Sequence, residues 1–144
     1  MKERVNIMQV HLGAQVPPYL LDQLRQTRLL NPDTPIFLLL SEGAETDYAA
    51  LRSLGVTVAR REAFVPCRNH RDFRRRNRFS KKSLGGFWLY TSERFYAIES
   101  FLTACGLRNV VHMENDVMLY TDLDALLPSF VSQCPRIGVT MDAD

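Results

Sequence analysis

The sequence predicts an α/β fold in which a mostly parallel sheet carries helices on both faces. Strand-like and helix-like segments alternate along the chain, which is typical of parallel strands joined by crossover helices. The segment 35–40 (PIFLLL) is apolar throughout, as expected for a strand that is covered on both faces. Glycine, proline and asparagine separate many of these segments and therefore mark the boundaries of the predicted elements.

The first sixty residues are expected to form three strands and two helices. The strands are predicted at 4–11, 35–40 and 56–59, and the helices at 19–30 and 46–54. Proline is tolerated at the start of a helix, which is where Pro17 and Pro18 stand. Asn31 and Pro32 end the first helix, and Gly55 stops the second.

The second half of the chain begins with the segment 60–86, which is rich in basic residues and is expected to be a loop within the domain. A helix follows from Thr91. Its buried stripe is predicted from residues spaced three and four apart, namely Phe95, Ile98, Leu102 and Cys105. A strand is then predicted at 109–113, a short capped helix at 121–128 and a last strand at 136–140.

The length and the cysteine content limit the class of protein. A chain of 144 residues can bury its own core, and we expect a single domain over 1–144. Because the predicted sheet lacks an evident second half, we expect this domain to be the amino-terminal part of a longer protein. The three cysteines include no Cys-x-x-Cys pair, so reduced thiols are expected rather than disulfides or a thiolate zinc site.

No transmembrane segment is predicted in this sequence. No apolar run approaches the ~20 residues of a membrane span, and the amino terminus lacks the apolar core of a signal peptide. The expected location is therefore cytoplasmic, and any membrane anchor would have to lie elsewhere in a longer parent chain.

The net charge of +2 conceals an uneven distribution of basic residues. The segment 60–82 holds ten Lys or Arg against two acidic residues, so the rest of the chain is acidic. These basic side chains could bind phosphate groups or a nucleic-acid backbone. A solvated surface loop is the simpler interpretation for most of them, since the interleaved Phe73 and Phe79 do not make a base-stacking platform.

The segment 110–120 (VVHMENDVMLY) contains two carboxylates directly after a short apolar strand. Ligands of open α/β sheets bind at the carboxyl ends of strands, and hard divalent cations prefer oxygen ligands. We therefore predict that Glu114 and Asp116 hold a divalent metal that also binds a diphosphate, with Asn115 in a tight turn between them. In the alternative, one carboxylate caps the following turn and the other pairs with an arginine.

Two further groups could bind metal but are ranked lower. His112 could be a third ligand, but the only other histidines, His11 and His70, lie upstream, so a packed or hydrogen-bonded strand histidine is preferred. Asp142 and Asp144 form a second acidic pair close to the last residue of the sequence, and we interpret them as solvated loop charge.

Arg94 lies near the start of the helix predicted from Thr91. Helix amino termini favour anions, so Arg94 could reach a phosphate there or hold Asp116 in place. A surface arginine beside Glu93 is the alternative. The sequence contains neither a Walker phosphate loop nor a Gly-x-Gly-x-x-Gly motif, which disfavours the common ATPases and dinucleotide-binding enzymes.

The chain from Glu93-Arg94-Phe95-Tyr96 through Glu114-Asn115-Asp116 resembles the nucleotide-sugar glycosyltransferases of the GT-A fold. In that family, a helix that carries an arginine precedes a strand ending in an Asp-x-Asp-type motif, which binds manganese or magnesium. Here glutamate stands in place of the first aspartate. The resemblance implies a Rossmann-like nucleotide-binding half, Mn²⁺ or Mg²⁺ at Glu114 and Asp116, and a nucleotide diphosphate sugar as donor.

The resemblance also implies where the donor and the acceptor bind. Gln9, His11 and the turn at Ser41 would lie near the nucleotide base. Together with candidates from the basic segment and the acidic turn, the full set of predicted substrate-binding residues is Gln9, His11, Ser41, Lys82, Arg94 and Asn115. The acceptor, whether glycan, lipid or protein, would bind a part of the enzyme beyond Asp144, together with the catalytic base.

The expected function is therefore the metal-dependent transfer of a sugar from a nucleotide diphosphate to an unknown acceptor. A metal-dependent nuclease or phosphotransferase is an alternative that uses the same carboxylates, with the segment 60–82 gripping a polyanion. A non-enzymatic nucleic-acid-binding module is another alternative, with structural carboxylates. The acidic motif at the end of a strand favours the glycosyltransferase, so nucleic acid is not the expected partner.

Overall fold

The computed structural model describes residues 4–78, 86–134 and 137–138. These residues form an α/β structure on a four-stranded sheet in which every pairing is parallel. The strands are β1 (Asn6–His11), β2 (Ile36–Leu40), β3 (Val56–Arg60) and β4 (Val110–His112). Each begins and ends within two residues of its predicted position, and the predicted fold class is confirmed.

Within the described residues, five α-helices connect and cover the strands. They are α1 (Tyr19–Leu30), α2 (Tyr48–Ser53), α3 (Arg68–Arg76), α4 (Phe87–Cys105) and α5 (Leu123–Gln133), and a 3₁₀ turn at Arg61–Ala63 follows β3. The first helix has the bounds that its flanking prolines and Asn31 predict. None of these helices is long and apolar enough to cross a membrane.

The strand order in the sheet is β3-β2-β1-β4. β1 pairs with β2 from Ile7 to His11 on one side, and with β4 from Asn6 to Met8 on the other. From β1 the chain therefore continues to β2 and β3 on one side of it, and later adds β4 on its other side. The crevice at the carboxyl ends of β1 and β4 is consequently a topological switch point, where open α/β sheets bind ligands.

Both faces of the sheet are covered by buried apolar side chains. On one face, Leu38 of β2 belongs to a cluster with Leu24 of α1. On the other face, Leu39 belongs to a cluster with Phe101 of α4. Burial of each such side chain stabilises the fold by roughly 2 kcal/mol. The apolar segment 35–40 is thus covered on both faces, as its composition predicts.

The prediction of a loop over 60–86 is wrong for Arg68–Arg76, which form α3. The helix is stabilised by a contact distant in sequence, since the buried carboxylate of Glu93 on α4 accepts hydrogen bonds from its side chains. His70 Nε2 lies 2.8 Å from Glu93 Oε1, and Arg74 also bonds this oxygen. Arg61 Nη1 lies 3.5 Å from the same atom. A buried charge is tolerated when it is paired in this way.

The predicted apolar stripe of α4 is confirmed for Ile98 and Leu102, which pack against the sheet, and is wrong for Phe95 and Cys105, which are exposed. Phe95 is 59% exposed, whereas Ala97 and Phe101 are buried against the sheet. The difference arises because α4 is covered on two sides. The sheet takes one side, and α3 takes the side that carries Glu93 and Tyr96, where the rings of His70 and Tyr96 stack at 5.3 Å. The helix also begins at Phe87, before the predicted Thr91.

The segment after β4 returns to the amino ends of the strands, where α5 begins. Asp122 caps α5 by accepting a hydrogen bond from the backbone N–H of Asp124 at 2.9 Å. The side chain of Asn31 accepts from the N–H of Leu123 at 2.9 Å and donates to the carbonyl of Thr121 at 3.0 Å. The helix continues through Pro128 beyond its predicted end, and the predicted strand at 136–140 lies largely outside the described residues.

Replacing Glu93 should therefore destabilise the fold. We expect Glu93→Gln to lower the free energy of unfolding by about 3 kcal/mol, because it removes the buried charge that pairs with His70, Arg74 and Arg61. The measurement is urea denaturation followed by circular dichroism. Glu99→Gln is the matched control, since Glu99 lies on the same helix but is exposed. Equal stability of the two variants would contradict the role of Glu93.

Candidate functional site

A cleft of about 650 Å³ lies at the switch point between β1 and β4. Its walls are the end of β1 with the following loop, the start of α1, the first turns of α4 and the turn after β4. The lining residues are Val10, His11, Leu12, Gly13, Ala14, Gln15, Tyr19, Phe87, Tyr90, Thr91, Arg94, Glu114, Asn115 and Asp116. We refer to it as the acidic cleft.

The turn after β4 carries the two predicted carboxylates into this cleft. The N–H of Val117 donates to the carbonyl of Glu114 at 3.3 Å, so Asn115 and Asp116 occupy the centre of a tight turn. Asn115 Nδ2 donates to the carbonyl of Val10 at 3.2 Å and thereby fixes the turn against the end of β1. The predicted role of Asn115 as a turn residue is confirmed.

The two carboxylates differ in their electrostatic surroundings. Glu114 is half-buried and accepts a hydrogen bond from Arg94 Nη1 in an ion pair. Asp116 is exposed and makes no hydrogen bond or ion pair with the residues that the structure describes. The arginine pairing that the sequence allows thus occurs at Glu114 and not at Asp116, and one carboxylate of the cleft keeps its full negative charge.

The donor set suits a hard divalent cation better than zinc. Across the described ranges, no group of three or more His, Cys, Asp and Glu side chains could hold a metal ion, so a site built from protein ligands alone is not formed there. Mg²⁺ in particular needs only one or two carboxylates and takes waters and phosphate oxygens as its other ligands. Asn115 Oδ1, which is buried and has no hydrogen-bond partner among the described residues, offers a further oxygen beside Glu114 and Asp116.

His11 lies in the wall of the acidic cleft as a neutral side chain. Burial lowers its pKa below 6.5, although a hydrogen bond to the backbone of Gln15 acts in the opposite direction. Its Nδ1 lies 3.4 Å from Asn115 Nδ2, and its Nε2 is buried without a hydrogen-bond partner in the described chain. A Cβ at Gly13 would lie 3.1 Å from this Nε2, so glycine permits the close approach.

His112 does not line the cleft. Its Nδ1 lies 3.1 Å from the carbonyl of Met8, and its ring packs edge-on against Phe95 at 6.0 Å. It is therefore the packed, hydrogen-bonded strand histidine that the sequence favours over a metal ligand. Burial is the main cause that lowers its pKa below 6.5, so it too is neutral at pH 7.

A second cleft of about 620 Å³ adjoins the acidic cleft and shares Leu12, Gly13, Ala14 and Tyr90 with it. We refer to it as the side cleft. Its polar lining comes from the turn after β2 and the 3₁₀ turn after β3, and consists of Ser41, Glu42, Arg61 and Glu62, with Arg74, Asn77 and Glu93 opposite. Ser41 thus lines the side cleft just after the end of β2, and its place near a nucleotide base stays a prediction.

Glu62 is an ionised acceptor in the side cleft. Its Oε2 accepts a hydrogen bond from the backbone N–H of Glu42 at 2.8 Å, and its Oε1 pairs with Arg61 at 2.9 Å. Partial burial raises its pKa, but these hydrogen bonds outweigh the burial, and the net pKa is lowered. Its position directly after β3 is the signal that could have identified it from the sequence.

Gln9 does not belong to either cleft, contrary to the resemblance. It is fully buried, and its side chain donates to Gln23 of α1, which in turn donates to Thr27 at 3.1 Å. Gln9 lies on the same face of the sheet as His11 but two residues before the end of β1, so α1 covers it, whereas His11 reaches the acidic cleft. Lys82, Asp142 and Asp144, which were also candidates, lie outside the described residues.

The basic segment is only partly available for ligands. Arg61 and Arg74 are held by Glu93, and Arg71 Nη1 donates to the carbonyl of Pro66 at 2.5 Å. Arg75 pairs with Asp72 at 3.2 Å on the exposed face of α3. The solvated loop expected for most of these arginines is thus replaced by a helix whose side chains make local ion pairs.

Neither models of protein families nor curated proteins give a significant match to this chain. Function is therefore inferred from the chemistry and geometry of the two clefts.

The two neutral histidines should make the fold sensitive to acid. Since their folded pKa values lie below 6.5, the unfolded chain binds more protons as the pH falls through about 6.5, and stability is lost until the folded pKa is reached. Each histidine contributes a slope of at most about 1.4 kcal/mol per pH unit. The measurement is urea denaturation between pH 8 and 5. His112→Asn, which keeps a donor for Met8, should flatten this slope, and an unchanged slope would contradict the assignment.

Proposed function

We propose that this chain is the donor-binding part of a metal-dependent glycosyltransferase of the GT-A type. It binds a nucleotide diphosphate sugar in the acidic cleft and transfers the sugar to an acceptor held by another part of the enzyme. The observation that carries the proposal is the convergence of Asp116, Glu114 and Arg94 at the switch point of a parallel sheet. A motif of two acids with a facing arginine suits a cation and a diphosphate at the same place.

The charge state of the acidic cleft supports a cation as the bridge. A diphosphate would be repelled by Asp116, which has no ion pair within the described residues. A divalent cation at this carboxylate reverses the repulsion. Arg94 supplies a second positive group on the opposite wall of the same cleft. Positive charge from two directions would then surround the phosphate oxygens.

The two adjoining clefts offer one site for the diphosphate sugar and one for the nucleoside of a nucleotide diphosphate sugar. Its diphosphate and sugar would occupy the acidic cleft, and the nucleoside would extend past Tyr90 into the side cleft. Ser41 and Glu62 offer hydrogen-bonding groups there. The aromatic ring of Tyr90, which lines both clefts, offers a surface for stacking.

The proposed reaction breaks the bond between the anomeric carbon and the diphosphate. The cation, when bound, would neutralise the negative charge that develops on the leaving diphosphate. Arg94 would add a fixed positive charge to the same oxygens. As this bond weakens, the anomeric carbon acquires oxocarbenium character, as it does in glycoside chemistry generally.

The two alternatives account for less of this geometry. A nuclease, a phosphotransferase or a nucleic-acid-binding module would use the segment 60–82 as an electrostatic grip on a polyanion. Arg61 and Arg74 instead form ion pairs with the buried Glu93, so part of the positive charge of this segment is neutralised within the protein. The two carboxylates and the arginine of the acidic cleft are also not required by a nucleic-acid-binding module with structural carboxylates.

The first test is the metal dependence of nucleotide binding. We expect nucleoside diphosphates, tested as a panel because the base is unknown, to bind in Mn²⁺ and to lose most of their affinity in EDTA. Asp116→Asn should weaken this binding at least about 10-fold, since removing a metal ligand costs no less than removing a residue that supports one. Isothermal titration calorimetry measures both effects.

Asp33→Asn is the matched control for Asp116→Asn. Asp33 is exposed in the loop after α1, near the amino ends of the strands and away from both clefts. The two substitutions make the same change in charge, so only Asp116→Asn should alter nucleotide affinity. Binding that is equally strong in EDTA, or in Asp116→Asn, would refute the proposed function.

A second test separates sugar transfer from polyanion binding. We expect the double substitution of Arg71→Gln and Arg75→Gln to leave nucleoside diphosphate affinity in Mn²⁺ within about twofold of the wild type, because these side chains line neither cleft. Fluorescence anisotropy with labelled DNA and RNA at several salt concentrations gives the comparison. Tight, salt-dependent nucleic-acid binding that this double variant abolishes would favour the alternatives.

A further inference from the structure

Arg94 and Glu114 form an ion pair inside the acidic cleft, in which Arg94 Nη1 donates to Glu114 Oε2. The side chain of Arg94 is only 19% exposed, and that of Glu114 is 44% exposed. The Nε of Arg94 is buried and has no hydrogen-bond partner among the described residues. Arg94 therefore neutralises one of the two carboxylates of the cleft while one of its own donors stays unused.

The ion pair places Arg94 in competition with a cation for Glu114. A divalent cation bound to this carboxylate would lie within a few ångströms of the guanidinium, and like charges at such a distance repel in a partly buried site. Without any anion in the cleft, Arg94 would thus weaken cation binding, even though Asp116 has no ion pair with the described residues.

A diphosphate would reverse the effect of Arg94. A guanidinium matches the geometry of phosphate oxygens and can bind them through two parallel hydrogen bonds. Arg94 lines the cleft where those oxygens would bind, and its buried Nε has no hydrogen-bond partner among the described residues. A diphosphate would also screen the cation from the guanidinium, because its negative charge lies between them.

We propose that Arg94 is a positioning residue that makes cation binding depend on the diphosphate. In the free protein it holds Glu114 and keeps divalent cations weakly bound. When the diphosphate of the donor enters, Arg94 moves onto its oxygens and releases Glu114 to the cation. This inference rests on the proposed function and adds a coupling to it, since metal and nucleotide assist each other's binding to the same extent.

The test measures Mn²⁺ binding in the absence of nucleotide, by calorimetry and by the electron paramagnetic resonance of free Mn²⁺. Arg94→Met should bind Mn²⁺ alone about 10-fold more tightly than the wild type, a typical size for coupling between two ligands. The same variant should bind nucleoside diphosphates in Mn²⁺ more weakly. These two effects have opposite signs, and a merely structural role of Arg94 would not produce them together.

Three further variants make the test specific to charge. Arg94→Lys keeps the positive charge, so its affinity for Mn²⁺ alone should stay close to that of the wild type. Arg94→Gln makes the same charge change as Arg94→Met and replaces it if the methionine variant does not fold, which urea denaturation will show. Arg25→Met is the matched control, because Arg25 pairs with Asp22 at 2.7 Å on the exposed surface of α1.

The outcomes separate this inference from the proposed function. Mn²⁺ affinity that is unchanged in both Arg94→Met and Arg94→Gln, while the wild type still binds nucleoside diphosphates only with Mn²⁺, overturns the inference and leaves the proposed function in place. Tighter Mn²⁺ binding in Arg94→Lys as well would also overturn it, because the effect would not depend on charge. A wild type that binds no nucleoside diphosphate with Mn²⁺ refutes both.

Discussion

The parallel pairing of β1 with both β2 and β4 is the constraint on which the rest of this structure depends. Because all strands run in the same direction, each connection has to cross over a face of the sheet, and the connections on the two sides of β1 cover opposite faces. The end of β1 is thereby left between two diverging connections. The acidic turn and the first turns of α4 meet in that gap, so the cleft is a product of the topology and not of any one side chain.

Two neighbouring charged residues of α4, Glu93 and Arg94, make ion pairs of two different kinds. Glu93, buried on α4, is surrounded by His70, Arg74 and Arg61, and this cluster fixes α3 and the 3₁₀ turn against α4. The next residue, Arg94, faces the cleft and pairs with Glu114, which is half-exposed. Neighbouring residues on one helix thus make a buried contact and a partly exposed one, and the buried contact holds the helix that carries the partly exposed one.

Local signals in the sequence predict the fold well, and contacts between distant segments explain where the prediction fails. The bounds of α1, the buried β2 and the tight turn at Asn115 follow from proline, from an apolar run and from turn chemistry. α3 is mostly arginine and becomes a helix against Glu93, a contact that no local pattern reveals. Gln9 is polar at the end region of a strand, and the sequence does not indicate that Gln23 of α1 binds it inside the core. The sequence likewise does not indicate that Tyr90 lines both clefts.

The acidic turn is tied down on both sides, which determines how the protein can respond to a ligand. Asn115 joins the turn to Val10 at one end, and Asn31 holds Thr121 and Leu123 at the other. The wall of the cleft that bears the carboxylates is therefore the one held in place. Any widening needed to admit a large ligand would therefore involve the opposite wall of the cleft, the start of α4. The carboxylates on this fixed turn would then determine the position in which an incoming ligand binds.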